Sequence, residues 1–148
     1  MRTFLSLGSN LGDRRAILTE ALDSLPDVVR TSSLYETDPV GGPDQGAFLN
    51  LIAELDTDRT PMALLSVCHR VESAGNRVRV ERWGPRTLDV DIIWMEGVEM
   101  DTPTLTIPHP RWKKRRFVLL PLRELAPDLV TMTDIDLADG RVWPVEPL

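Results

Sequence analysis

The segment Arg82–Ile93, "RWGPRTLDVDII", brings two aspartates one residue apart, Asp89 and Asp91, close in sequence to Arg82, Trp83 and Arg86. In an extended chain residues i and i+2 point the same way, so the two carboxylates share one face while Leu88, Val90 and Ile92 turn to the other. Two unpaired anions a strand step apart repel, and taking them out of water costs several kcal/mol unless a cation compensates. Two readings meet that requirement. In the first, the aspartates are surface residues at a strand edge, paired with Arg82 and Arg86. In the second they hold magnesium, an ion that takes hard oxygen ligands from one or two carboxylates and completes its octahedron with water and substrate phosphates. The arginines then grip phosphate oxygens in bidentate fashion instead of neutralising the carboxylates. An Asp-X-Asp alone does not separate the two.

The elements that must position these residues follow from periodicity. "RTFLSLGS" is a short apolar run stopped by "GSNLGD", where Asn10 or Asp13 suits a helix N-cap. Leu18, Ala21, Leu22 and Leu25 then recur at the spacing of one helical face until Pro26. "VVRTSSLYET" reads as a second strand and "FLNLIAELD" as a third, with Leu49, Leu51, Ala53 and Leu55 on one face and Asn50, Glu54 and Asp56 on the other; Ile52 breaks the alternation. A second helix is predicted with Thr60 as N-cap, Pro61 at its first position, a buried stripe of Leu64, Leu65, Cys68 and Val71, and Gly75 at its C-terminal stop. "LDVDIIWM" is the fourth strand. This order predicts the α+β class: a ferredoxin-like sandwich with a βαββαβ core, its antiparallel sheet carrying two helices on one face. Chain beyond Gly97 decorates that core. "RRFVLLPLREL" reads as a third short helix in which Pro121 belongs near a kink or the first turn, and "TMTDIDLADGRVWPVEPL" has no assignable element.

A length of 148 residues with 42% hydrophobic content predicts one domain over residues 1–148. Acidic residues outnumber basic ones 23 to 17, a net charge of −6, which argues against nucleic acid or an anionic membrane as partner. Ten of the 17 cations nevertheless fall within Arg70–Arg86 and Arg111–Arg116, so a local positive site is expected inside an acidic protein. An RNA-binding module on the same fold is the competing class; 5% aromatic residues and no aromatic RNP pattern count against it. Cys68 has no second cysteine to pair with, the N-terminus lacks the pattern of a signal peptide, and no apolar run spans a bilayer. A reducing, cytoplasmic setting and a monomer are the expectations.

Five segments in order resemble the 6-hydroxymethyl-7,8-dihydropterin pyrophosphokinase family of folate biosynthesis. They are "LGSNLGD", "SSLYETDPVGGPDQ" followed by "FLN", "RVRVERWGPR", "RWGPRTLDVDII" and "LTIPHPRWKKRRFVLLPLRELAPDLV", covering the chain to Val130. The resemblance implies an enzyme that moves a diphosphate from ATP to a pterin alcohol with two Mg2+ ions. By position, Asp89 and Asp91 match the metal-holding pair and, with Arg82 and Arg86, the catalytic set. Arg77 and Arg79 match arginines that approach the nucleotide, Trp83 belongs to the stretch closing over triphosphate and pterin, and His109 and Arg115 match contacts to ATP. Thr37, Asp38 and Val40 match the loop whose backbone reads the ring, Asn50 the amide that hydrogen-bonds it, and Phe48 and Phe117 the aromatic pair on its faces. The roles are chemically sound, since offset stacking contributes about 0.5–1.5 kcal/mol per aromatic pair and an amide offers both donor and acceptor. Two departures stand out: Gly46-Ala47 replaces a common proline-acidic pair, and Asn76 replaces a frequent glycine at a turn that asparagine tolerates. A catalytically inactive homologue retained for binding is a third possible class, against which stands the presence of every matched metal and arginine position.

Overall fold

The computed structural model describes residues 1–10, 12–38, 47–80 (77–80 by backbone alone) and 88–148. Strand β1 (Arg2–Ser9) leads to helix α1 (Arg14–Ser24), whose N-cap is Asp13, accepting from the Ala16 N–H. The predicted second strand is two strands, β2 (Val28–Thr31) and β3 (Tyr35–Thr37), both antiparallel to β4 (Phe48–Asp56). Ser32 bridges the break: its hydroxyl accepts the Ile52 N–H at 2.9 Å and its own N–H donates to the Ile52 carbonyl at 2.8 Å. Helix α2 (Pro61–Val80) follows, then β5 (Leu88–Met95). The main sheet runs β5-β1-β4-β3, with each neighbouring pair antiparallel, as the ferredoxin-like prediction requires.

Alternation decides the two faces. Leu5, Leu7, Leu49, Leu51, Leu88 and Val90 pack with α1 and α2 in one core, sealed by Ile17, Leu18, Leu64 and Cys68. Thr60 caps α2, accepting from the Ala63 N–H at 3.2 Å. Gly75 does not stop this helix, which continues to Val80. The glycine is required for packing instead, because a Cβ there would lie 2.6 Å from Leu88 Cδ2. Asn76 is likewise not at a turn; its side chain accepts the Leu88 N–H at 3.0 Å and donates to the Leu88 carbonyl at 3.2 Å.

The opposite face explains Ile52. It joins Phe4 and Ile93 in a second core covered by α3 (Arg116–Leu125) and α4 (Met132–Leu137). The chain after Gly97 is thus a second layer of helices over the sheet, beyond the decoration expected. Pro121 lies inside α3, past its first turn and buried, so the Phe117 carbonyl has no i+4 amide donor. A two-stranded hairpin, β6 (Met100–Asp101) with β7 (Thr106–Ile107), precedes α3. The tail resolves into α4, capped by a Thr131–Asp134 capping box, and β8 (Val142–Pro144), which adds to the sheet beyond β3. Among the described residues no helix is long and apolar enough to cross a membrane.

Candidate functional site

Registry places a row of side chains across the sheet on the α3 face. Asp89 lies opposite Gly8, Gly8 opposite Asn50, and Asn50 opposite Tyr35, while Asp91 lies opposite Ser6. Strands about 4.8 Å apart put Asp89 and Asn50 roughly 10 Å from each other with only small residues between them. The space is held open by composition: a Cβ at Gly8 would sit 2.8 Å from Asn50 Oδ1. Asn50 is nearly fully buried and donates to Thr37 Oγ1 at 3.1 Å, so its orientation is fixed. The side chains of Asp89 and Asp91 face outward from the core, whereas Leu88, Val90 and Ile92 are buried, the alternation read from the sequence.

Over this row opens a cavity of about 400 Å³. Thr37, Asp38, Phe48, Asn50, Asp89, Asp91, Arg115 and Phe117 all line it, so eight of the predicted site residues meet in one place. The Arg115 guanidinium sits 5.5 Å from the Phe117 ring centre, a cation held over an aromatic face at the mouth of α3. His109 is elsewhere: it lines an adjoining cavity of about 310 Å³ with His69, Glu72, Thr104 and Pro110. Asp91 lines both cavities and joins them. His109 Nδ1 accepts the Arg111 N–H at 3.1 Å, which leaves Nε2 to carry the proton of the neutral ring. Burial holds its pKa below the ordinary value, with Arg115 and Arg111 acting in the same direction and Asp91 opposing them. Val40, Arg82, Trp83 and Arg86 lie outside the described residues, as do the side chains of Arg77 and Arg79.

Sequence reasoning missed part of the wall. Lys114 lines the larger cavity, and so do Arg111 and the tail residues Asp139–Val142. The tail reaches the site through pairing of β8 with β3 and through a parallel backbone β-bridge between Arg115 and Asp139, contacts across long sequence separations that no local pattern announces. Ser6 and Gly8 were findable in principle, as small residues at i and i+2 on the strand beside the aspartates.

The family profile described as 7,8-dihydro-6-hydroxymethylpterin-pyrophosphokinase (HPPK) matches residues 4–127. The chain belongs to the HPPK family. It is 46% identical over 134 residues to the 2-amino-4-hydroxy-6-hydroxymethyldihydropteridine pyrophosphokinase of Methylorubrum extorquens, covering 87% of this chain and 85% of that one. The enzyme of the same name from Bacillus subtilis is 40% identical over 148 residues, covering 95% and 89%. A solved HPPK-DHPS structure in complex with substrates superposes with a TM-score of 0.63 at 14% identity, over 85% of this chain and 40% of the other, a likeness of fold. As an HPPK-family chain this protein is a pyrophosphokinase with ATP as co-substrate. No group of three or more metal-ligating side chains exists among the described residues. Asp89 and Asp91 put two hard oxygen donors on one face of β5 at the wall of the larger cavity, a donor set that fits magnesium, an ion that leaves the rest of its octahedron to water and phosphate.

Proposed function

We propose that this chain transfers the β,γ-diphosphate of ATP to the hydroxymethyl oxygen of 6-hydroxymethyl-7,8-dihydropterin, releasing AMP. The observation that carries this reading is the pair of cavities meeting at Asp91, the larger one joining Asn50, Phe48 and Phe117 to the two aspartates. The roughly 10 Å between Asn50 and Asp89 accommodates a flat bicycle whose amide edge is read at one end and whose alcohol reaches the other. On their match to the family, Asn50 and the backbone of Thr37, Asp38 and Val40 are assigned to the ring edge, and Phe48 and Phe117 to its faces. The nucleotide occupies the adjoining cavity beside His109, whose Nε2–H is the donor it offers, and Arg115 stands where the phosphates cross between them. Asp89 and Asp91 fit two Mg2+ ions, which when bound offset phosphate charge and polarise the transferred group. Arg77, Arg79, Arg82, Trp83 and Arg86 are assigned to the nucleotide and its phosphates on their match to the family. The oxygen attacks the β-phosphorus in line, and positioning with charge stabilisation supplies most of the rate. Enclosure by the surrounding walls favours the alcohol over water as acceptor. A monomeric protein in a reducing, cytoplasmic setting completes the reading.

The test is nucleotide product analysis with protein, magnesium, ATP and the pterin alcohol together and with each omitted. AMP formed only in the complete mixture is expected. ADP in its place, or no turnover by folded protein, overturns the reading. Asp89→Asn and Asp91→Asn should each lower turnover by about a thousandfold or more while leaving the thermal midpoint near that of the wild type. Full activity in either removes the metal assignment.

A further inference from the structure

Behind the larger cavity, and outside its lining, one carboxylate gathers three donors. Glu124 on α3 accepts from the Tyr35 hydroxyl at 2.5 Å through Oε1, and from the Ser33 N–H at 3.1 Å and the Ser33 hydroxyl at 2.9 Å through Oε2. Tyr35 is buried and Glu124 exposed, and the bonds tie β3 and the residue Ser33 before it to the outer helix layer. Nothing in the transfer chemistry needs these residues.

Their placement is specific. Tyr35 is the register partner of Asn50 and stands two residues before Thr37 on β3, so Tyr35 and Thr37 share a face. Glu124 follows Phe117 by seven residues on α3, about two helical turns, so the two also share a face. The Tyr35–Glu124 contact therefore spans the same two elements as the cavity, one step further in. The contact joins the α3 wall, with Phe117 and the N-cap residue Arg115, to the β3–β4 wall, with Thr37, Asn50 and Phe48. The carbonyl of the next helix residue, Leu125, accepts from Arg2 at 3.2 Å and Arg30 at 2.9 Å, so the far end of α3 is pinned to the sheet as well.

We infer that Tyr35 and Glu124 are positioning residues for the flat ring, fixing the width of the slot between Phe117 on α3 and Phe48 on β4. The inference rests on the pterin being bound there. A slot widened by a fraction of an ångström loses contact on one ring face at once, because dispersion falls steeply with separation.

The experiment measures KM for pterin and for ATP, kcat, and direct pterin binding for the wild type, Phe117→Ala, Tyr35→Phe, Glu124→Ala and Glu124→Gln. Loss of a hydrogen bond to a charged group should raise the pterin KM and Kd about tenfold in Tyr35→Phe and Glu124→Ala, with the ATP KM changed by less than about twofold. Glu124→Gln keeps an acceptor oxygen for the phenol and should recover most of the affinity. A thermal midpoint that falls without any change in pterin affinity overturns the inference, as does equal weakening toward both substrates. Phe117→Ala separates the two levels. If it leaves pterin binding intact, the location of the ring is wrong and the inference fails with it; if it weakens binding while Tyr35→Phe and Glu124→Ala do not, only the positioning role fails.

Discussion

Among single residues Tyr35 makes the clearest physical statement, because it is the one tyrosine in the chain and its ionisation can be followed without interference from another phenol. Burial raises its pKa above the ordinary 10.0, and the hydrogen bond to Glu124 and that carboxylate's charge push the same way. The folded state favours the neutral phenol. Its contribution to stability is complete below pH 10 and is lost as pH rises through the interval between the unfolded and folded values, where the unfolded chain gives up its proton first. Phenolate absorbance of the native protein should therefore stay low above pH 10 and jump on unfolding in urea at the same pH. The urea midpoint of the wild type should also fall more steeply above pH 10 than that of Tyr35→Phe. A native phenol that ionises at its ordinary value would show that Glu124 and burial do not act on it. Asp89 and Asp91 are the opposite kind of residue. Their alternation with Leu88, Val90 and Ile92 was legible from spacing alone, since a period of two needs no tertiary information.

Elements were legible where their sequence signal was local, and misread where a partner far along the chain decides. The N-cap pattern at Thr60–Pro61 is local and correct, whereas Gly75 looks like a helix stop until Leu88 is seen lying against it. Asn76 looks like a turn residue until its amide is seen to pair with both backbone groups of Leu88, fixing the strand start next to Asp89. Arg116 extends the lesson to the tail. Within "RWKKRR" it reads as a solvated cation, yet its guanidinium donates to the carbonyls of Ile135, Ala138 and Gly140 at 3.1, 2.7 and 2.6 Å. It holds α4 and the Asp139–Val142 wall against the start of α3. Removing it leaves carbonyls without their donor, so Arg116→Ala should cost on the order of 2 kcal/mol in urea unfolding. The pterin KM should rise with it, because the tail wall loosens. An unchanged midpoint and unchanged pterin KM would mean that β8 pairing alone secures the tail, and Arg116→Lys, which keeps charge but not the fork of donors, should resemble the alanine variant.

At the scale of the whole molecule, one sheet serves two cores, and this accounts for both the fold and the place of the site. Leu51 and Ile52 are adjacent on β4, both almost wholly buried, and point into different cores. The α1–α2 layer covers one face of the sheet; the α3–α4 layer, built from the chain after Gly97, covers only part of the opposite face. The uncovered part, over Ser6, Gly8 and Asn50, is the larger cavity. An acidic protein can thus keep its cations in a local cluster at the rim, with Arg111, Lys114 and Arg115 contributed by the second layer. Because β1, β4 and β5 are common to both cores, neither layer has a complete partner surface if the other unfolds. Ile52→Ala, a deletion on the α3–α4 side, should cost about 2–5 kcal/mol. Trp94 and Trp112 pack against that same core and report its loss by fluorescence, while far-ultraviolet circular dichroism averages over both layers. The two probes should give coincident urea transitions in the wild type and coincident, equally shifted ones in Ile52→Ala. Fluorescence moving ahead of circular dichroism would mean that the second layer comes away from the sheet by itself, and the cavity wall it carries would then be lost before the fold.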